Sequence, residues 1–540
     1  MTTETAPEPT TAGADAPRPV YYITTAIPYV NARPHIGFAL EIVQTDTFAR
    51  YHRQLGEDVY FLSGSDENSL KNVQAAEAEG IPTAELVARY ATVFEGLKPL
   101  LDLSFDQFIR TSSDPRHAPG AAKLWAACVA RGDIYSKSYH GLYCVGCEQF
   151  YTPAELTPQG LCPEHLTRPD EVEEENYFFR LSHYGPQLLD LIESGRLRII
   201  PDSRRNEVLS FIRMGLEDFS ISRSVARAHG WGVPVPGDPS QVMYVWFDAL
   251  ANYITALDYA DDGPRYQHYW GAAAERVNTI GKGVIRFHAV YWPAMLISAG
   301  ALPPSTLFVH GYITADGQKI SKSLGNVIDP YELVEQYGAE AVRYFMLREI
   351  HPTADADFTY AKFEGRYNSD LANDLGNLLN RTVSMIGRYR GGTVPTPGPA
   401  TALDSDLIAL AAALPARVAA AMGDYDPQSS LAAIWELVKS ANQYVELNQP
   451  WTLAKTAKGG DAEAATRLDS VLYNLAEALR LLAVHLTPFL PATATALAAQ
   501  LGLGNAPTLS YTEATRWGGL PPGTAVGEAR PLFPRLEAKA

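Results

Sequence analysis

Residues 20–26, Val-Tyr-Tyr-Ile-Thr-Thr-Ala, form a run rich in β-branched and aromatic side chains. Such a run suits a strand buried on both faces of a parallel sheet. Pro28, Asn31, Arg33 and Pro34 break the pattern and predict a turn. From Ile36 to Leu55 apolar residues return at helical spacing, with Ile36, Ala39, Leu40, Val43 and Thr47 on one face. A second strand-like run spans Asp58 to Ser63. This strand–helix–strand order predicts a doubly wound α/β nucleotide fold. The same signal returns at Met243–Phe247, Val277–Gly281 and Thr306–His310. Between them, residues 115–215 mix a cysteine-rich segment with short strands and helices, so the α/β domain is expected to be split by an insertion. After Tyr331 the pattern is mainly helical, with a Gly/Pro-rich break from Gly391 to Ala402. Amphipathic Ala/Leu helices around 404–423, 428–446, 464–487 and 490–502 predict an all-α bundle. From about Thr515 the chain reads as irregular. No internal repeat is visible.

The 540 residues suit three or four modules, and 46% hydrophobic content supports large cores. No stretch reaches the roughly 18–20 uninterrupted apolar residues of a membrane helix. The first 18 residues are mostly Thr, Ala, Pro and Glu, without the pattern of a signal peptide. They are read as a disordered tail, and the protein as cytoplasmic with no membrane partner. The 44 basic and 61 acidic residues give a net charge of −17. That balance disfavours DNA or general nucleic-acid binding and leaves room only for a small basic footprint on a selective RNA.

Two stretches have the chemistry to hold phosphate. Pro34-His35-Ile36-Gly37-Phe38 sits where the first strand turns into the first helix. A helix start presents unpaired N–H groups and partial positive charge. His35 adds a donor, and Gly37 permits close approach of a nucleotide; alone, such a histidine is also a plain helix cap. Lys319-Ile320-Ser321-Lys322-Ser323 follows the turn Ala315-Asp316-Gly317. Its lysines are movable point charges suited to a triphosphate.

Four cysteines are present, three of them clustered beside a histidine. Cys144-Val-Gly-Cys147 and Cys162-Pro-Glu-His165 have the spacing of a tetrahedral Cys3His zinc site. With no open position, one Zn²⁺ there is structural and folds the insertion. Cys128 lies on an Ala-rich helical pattern and is read as core.

Taken together, the two phosphate stretches resemble the His-Ile-Gly-His and Lys-Met-Ser-Lys-Ser signatures of class I aminoacyl-tRNA synthetases. Further stretches resemble the methionyl-tRNA synthetases within that class. They are Ala26-Ile27-Pro28-Tyr29, Tyr143-Cys-Val-Gly-Cys-Glu-Gln-Phe-Tyr151, Tyr244-Val-Trp-Phe-Asp-Ala249, Ile280-Gly-Lys282, Arg286-Phe-His-Ala-Val-Tyr-Trp-Pro293 and Asp370-Leu-Ala-Asn373. The resemblance covers residues 20–540. It implies a Rossmann-type catalytic domain with a zinc-binding insertion, followed by an anticodon-binding helical bundle. The implied division is a tail at 1–18, catalytic halves at 19–127 and 216–330, the insertion at 128–215, a stem-contact region at 331–375 and the bundle with its C-terminal tail at 376–540.

The resemblance further implies activation of methionine by ATP, with Mg²⁺, and transfer to tRNA(Met), the initiator included. Methionine would be bound by Ala26, Ile27, Tyr29, Trp246, Ala249, Leu250, Tyr253 and His288, with Asp66 on its ammonium. Aromatic rings pack well on a thioether, and the Tyr253 hydroxyl is expected to donate to the sulfur. ATP would meet His35, Gly37, Asn68, Lys319, Ser321 and Lys322, with His35, Lys319 and Lys322 in catalysis. Arg223 would neutralise charge nearby. Asn377, Arg381 and Trp451 would read the CAU anticodon. A monomer is expected, since no added C-terminal RNA-binding barrel follows the bundle.

The chain departs from the family pattern at three places. Phe38 replaces the second histidine, Asn68-Ser69 replaces His-Gly, and Gly283 stands where aspartate is usual. Two alternatives therefore stay open: a ligase acting on a small amine or carrier, and an RNA-binding paralogue without catalysis. Retention of both lysines and of the three anticodon positions favours the synthetase.

Overall fold

The computed structural model describes residues 17–146, 149–164, 166–320, 326–504 and 509–537. Six parallel strands form the central sheet, in the order Gln107–Arg110, Asp58–Ser65, Val20–Thr25, Ala274–Gly281, Thr306–His310 and Arg198–Ile200. The order reverses at Val20–Thr25, whose neighbours are Asp58–Ser65 on one side and Ala274–Gly281 on the other. Ligands of such sheets bind at that switch point, beyond the carboxyl ends of the strands.

Alternation along the first strand explains the layering. Tyr21 and Ile23 point to one face and pack with Ala39, Leu40 and Val43 of the first helix, Ile36–Gln54. Tyr22 points to the other face and joins Leu124, Phe247 and Leu250. The first core runs on into the C-terminal helices, through Leu431, Leu475 and Leu482. Arg343 ties these layers together. It is fully buried, pairs with Asp46 at 2.9 Å, and donates to the carbonyls of Leu101, Pro488 and Phe489.

Two expectations are corrected. Met243–Phe247 is not one strand: Asp238–Met243 ends there and a helix, Val245–Thr255, begins. Trp246, Ala249, Leu250 and Tyr253 recur at helical spacing, and that period wins over the β-propensity of the short run. The cysteine-rich stretch also returns to the catalytic layer before residue 215. Its antiparallel sheet consists of Gln149–Tyr151, Ile134–Cys144, Asp170–Phe179 and Phe219–Ser220, but Arg198–Ile200 is the edge strand of the parallel sheet. Cys128 lies in the helix His117–Arg131, buried in the core, with its sulfur 3.7 Å from the Met295 carbonyl.

The C-terminal helices include Asn377–Arg390, Ala402–Gly423, Pro427–Asn448, Ala462–Leu486 and Pro491–Gln500. Ala402–Gly423 has the length and apolarity of a bilayer span. It nevertheless buries Leu407, Ala411, Leu414, Val418 and Met422 as one stripe and packs along Pro427–Asn448, as a bundle helix does.

Asp404 is the polar hub of the bundle. Its carboxylate accepts from Arg467 at 2.5 Å, Asn474 at 2.9 Å, Tyr444, and the backbone and hydroxyl of Thr401. Burial alone would raise this carboxyl; the hydrogen bonds from Arg467, Tyr444 and Thr401 outweigh burial and hold it far below the usual range. A depressed carboxyl contributes stability above its unfolded pKa of about 3.9, and that contribution is lost as pH falls. Asp404→Asn is expected to cost about 2–3 kcal/mol at pH 7 and to flatten the loss of stability between about pH 5 and 2. Urea midpoints across that range test this.

Candidate active site

The site is built at the switch point. Beyond Thr25, the Ala26 amide still donates to the Thr279 carbonyl at 2.9 Å, prolonging the strand pairing. His35 is the N-cap of the first helix, in extended conformation, and its Nδ1 accepts from the Gly37 amide at 3.0 Å. A neutral imidazole that accepts at Nδ1 carries its proton on Nε2. The residue is solvent-exposed, so it is at once a helix cap and a donor at an electropositive helix start. A Cβ on Gly37 would lie 2.9 Å from His35 Cε1. Gly37→Ala is therefore expected to displace the ring and raise the KM for ATP about tenfold, the effect of about 1.4 kcal/mol. Pyrophosphate-exchange kinetics at varied ATP check this. Phe38 turns inward instead of facing a ligand, its ring packing edge-on against Phe94 at 5.1 Å.

The lysine segment leaves a two-residue hairpin. Ile313–Ala315 pairs with Gln318–Lys319 around Asp316 and Gly317, both at positive φ. Asp357 secures the turn by accepting from the Gly317 amide at 2.7 Å and the Thr314 hydroxyl at 2.6 Å. Ser321 and Lys322 lie outside the described residues. The chain beyond them is fastened to the other motif: the Ile328 carbonyl accepts from the Ile36 amide at 3.0 Å, and Asp329 pairs with Arg33 at 2.8 Å. The segment beyond the second lysine thus reaches the helix start that His35 caps.

Beside this point stand the pocket candidates. Tyr29 and Asp66 face each other as a parallel bridge, and Asp66 is buried. Ile27 lies against Gly64, whose Cβ would be 3.1 Å from Ile27 Cγ2. Trp246, Ala249, Leu250 and Tyr253 share a helix face. Trp246 meets Tyr29 edge-on at 6.5 Å and stacks on Phe287 at 3.9 Å. His288 occupies a π-helical turn, Phe287–Tyr291. Its Nδ1 lies 3.0 Å from the Val284 carbonyl and its Nε2 2.7 Å from the Tyr253 hydroxyl. Burial pushes its pKa down to about 4, so the ring is neutral at pH 7. Nδ1 must then donate to the carbonyl and Nε2 accept from Tyr253. The Tyr253 proton, expected to point at a thioether, is committed to His288.

Asn68 also has a protein partner. Its side-chain amide donates to Asp248 at 2.7 Å, and Asp248 in turn meets His117 at 2.5 Å. Arg223 is buried with its guanidinium over Tyr143 at 4.5 Å and Tyr244 at 4.8 Å, joining the cysteine-rich insertion to the start of the pocket helix. At Gly283 an added Cβ would lie 2.0 Å from the hydroxyl at the tip of the Tyr312 side chain, which would have to move aside. Sequence reasoning missed Phe287, Glu41 and His310. A carboxylate at Glu41, set between the apolar pairs Ala39-Leu40 and Ile42-Val43, is the available signal.

In the insertion, Cys144 and Cys162 are buried in one small cluster with Tyr151, apart from the main cores. Cys147 and His165 lie outside the described residues. Two thiols brought together, one at the end of strand Ile134–Cys144 and one on the loop that follows, fit the donor chemistry of zinc. In the bundle, Asn377 is exposed one turn before Arg381. The Arg381 guanidinium lies 5.8 Å from the Trp451 ring and pairs with Glu446 at 2.7 Å. Gln449, at φ 43°, turns the chain so that Pro450 starts a new helix and Trp451 is 42% exposed.

Comparison with known proteins bears on this geometry. The family model for class I tRNA synthetases (M) matches residues 21–170 and 165–383. The anticodon-binding domain of methionyl-tRNA ligase matches 394–540. The methionine–tRNA ligase of Caldanaerobacter subterraneus subsp. tengcongensis is 43% identical over 520 residues, covering 96% of this chain and 79% of that protein. That of Brucella suis is 45% identical over 486 residues, covering 88% and 90%. Among solved structures, Mycobacterium tuberculosis methionyl-tRNA synthetase in complex with methionyl-adenylate superposes with a TM-score of 0.91 at 42% identity, covering 96% of this chain and 100% of that one. The chain belongs to the methionyl-tRNA synthetases, class I ligases that join methionine to its tRNA.

Proposed function

We propose that methionyl-adenylate forms in the cleft beyond strands Val20–Thr25 and Ala274–Gly281. The observation that carries this reading is the Ile36–Ile328 hydrogen bond, which fastens the lysine segment's far flank to the helix start. Asp66 takes the substrate ammonium. Ala26, Ile27, Tyr29, Trp246, Ala249, Leu250, Tyr253 and His288 enclose the thioether. The methionine carboxylate oxygen attacks the α-phosphorus of ATP, and the bond to the β-phosphate oxygen breaks. His35 and the helix start hold phosphate, Gly37 and Asn68 border the nucleotide, and Lys319, Ser321 and Lys322 close over the leaving pyrophosphate. Arg223 offsets charge, and Mg²⁺ accompanies ATP. Alignment and charge stabilisation supply the rate, without covalent catalysis. A terminal ribose hydroxyl of the tRNA then attacks the mixed anhydride and AMP leaves.

The finer assignments belong to the same reading. Cys144, Cys147, Cys162 and His165 hold one structural Zn²⁺, which stabilises the insertion. Residues 331–375 contact the tRNA stem, and Asn377, Arg381 and Trp451 read the anticodon of initiator and elongator tRNA(Met). The enzyme works as a monomer in the reducing cytoplasm, the compartment that suits clustered metal-binding thiols.

Methionine-dependent ATP–pyrophosphate exchange tests the pocket. Trp246→Ala is expected to raise the KM for methionine by about 100-fold, near 3 kcal/mol, with the KM for ATP little changed. An unchanged methionine KM removes Trp246 from the pocket. Metal analysis tests the zinc: one equivalent per chain is expected, lost in Cys144→Ser together with a lower melting temperature.

A further inference from the structure

Glu41 is a buried carboxylate on the first helix, and the activity described above does not use it. Its two oxygens are divided between two elements. Oε1 accepts from the Ala26 amide at 2.8 Å, sharing that N–H with the Thr279 carbonyl, and Oε2 lies 2.8 Å from His310 Nε2. His310 is buried as well, at the end of strand Thr306–His310, and its Nδ1 lies 2.7 Å from the Gly311 carbonyl. Both ring nitrogens thus face oxygen acceptors. The pair must hold one proton more than a neutral imidazole beside an ionised carboxylate, or one hydrogen bond is lost.

The position of this bridge gives it consequence. Ala26 opens the segment that carries Ile27, Tyr29 and the cap His35. Three residues beyond His310 the chain enters the hairpin Ile313–Ala315 and Gln318–Lys319, which leads into the lysine segment. The His310 ring also lies against the end of the neighbouring strand, 3.4 Å from where a Gly281 Cβ would stand. One side chain from the first helix therefore ties the methionine wall, the strand switch and the root of the lysine hairpin. Nearby titratable groups are Tyr253, which feels the Glu41 charge, Tyr312 beside Gly281, and Lys282, which pairs with Asp355.

We propose that Glu41 and His310 are a positioning pair for adenylate formation, holding the methionine wall and the lysine hairpin in one frame. The proposal rests on the pocket reading above, which the Trp246→Ala measurement tests separately. Glutamine at position 41 can accept from Ala26 and donate to a neutral His310, so every hydrogen bond survives with one proton fewer. Aspartate keeps the charge but lacks the reach to bridge both partners.

Methionine-dependent exchange, with kcat and both KM values, and thermal melts would be measured on Glu41→Ala, Glu41→Asp, Glu41→Gln and Glu41→Ala/His310→Ala. Glu41→Ala and Glu41→Asp are expected to lose about 100-fold in kcat while folded at assay temperature, as misaligned reacting groups do. Glu41→Gln is expected within about threefold of wild type, its hydrogen bonds being replaced in kind. The double variant should be no slower than Glu41→Ala, because the two residues act as one unit. Should Glu41→Ala fail to fold, Glu41→Asp and Glu41→Gln carry the comparison. Full kcat in Glu41→Asp, or a Glu41→Gln as slow as Glu41→Asp, overturns the proposal.

Discussion

Replacing Lys322 by alanine is expected to slow methionine-dependent pyrophosphate exchange by about 10²–10³-fold, with the KM for methionine nearly unchanged. The size follows from the loss of one preorganised charge facing a transition state that spreads negative charge, about 2.7–4 kcal/mol. Methionine is expected to be spared because the proposed pocket lies on different elements: the Tyr29 segment, the Asp66 loop, the helix Val245–Thr255 and the turn holding His288. Lys322 itself lies outside the described residues; in the sequence it falls between the hairpin strand Gln318–Lys319 and Ile328, whose carbonyl accepts from the Ile36 amide at the helix start. Arginine at this position keeps the charge but presents a planar fork in place of a compact ammonium, and partial activity is expected of it. An exchange rate within threefold of wild type in Lys322→Ala would remove the lysine from the pyrophosphate site.

What could be read from the chain beforehand follows from the range of the forces involved. The strand at Val20–Thr25, the helix from Ile36 and the bundle helices declare themselves because their apolar periods are long and each buries a continuous face. Arg198–Ile200 does not, since a three-residue edge strand is too short to show a period and is set by its pairing with Thr306–Phe308. Local chemistry showed His35 as a helix cap, and the Nδ1 bond to Gly37 is the physical form of that cap. The direction of the Tyr253 proton was hidden, because it depends on the Val284 carbonyl fixing the His288 tautomer from another element. Gly283 looked like a missing carboxylate when read as a sequence. In three dimensions the Tyr312 hydroxyl already occupies that space. The Glu41–His310 bridge joins residues far apart in the chain, and nothing in either local pattern names the partner.

In the bundle, Trp451→Ala is expected to lower kcat/KM for aminoacylation of tRNA(Met) by about 10–100-fold while leaving pyrophosphate exchange intact. Stacking of an unpaired base on an aromatic ring is worth about 1–3 kcal/mol, which sets the range. Nothing in the exchange reaction touches this helix start, so the two assays separate. The arrangement also makes the residue non-additive with its neighbour. Arg381 sits at cation–π distance from the Trp451 ring and is drawn aside by Glu446. Removing the indole leaves the guanidinium to the carboxylate alone, and part of its contribution to a base edge goes with the ring. Trp451→Ala/Arg381→Ala should therefore lose less than the two single losses combined. Glu446→Gln, by releasing Arg381, should recover part of the aminoacylation lost in Trp451→Ala and none of that lost in Arg381→Ala. Additive losses at Trp451 and Arg381, or a fall in exchange with either variant, would mean that the pair does not act on the tRNA as one platform.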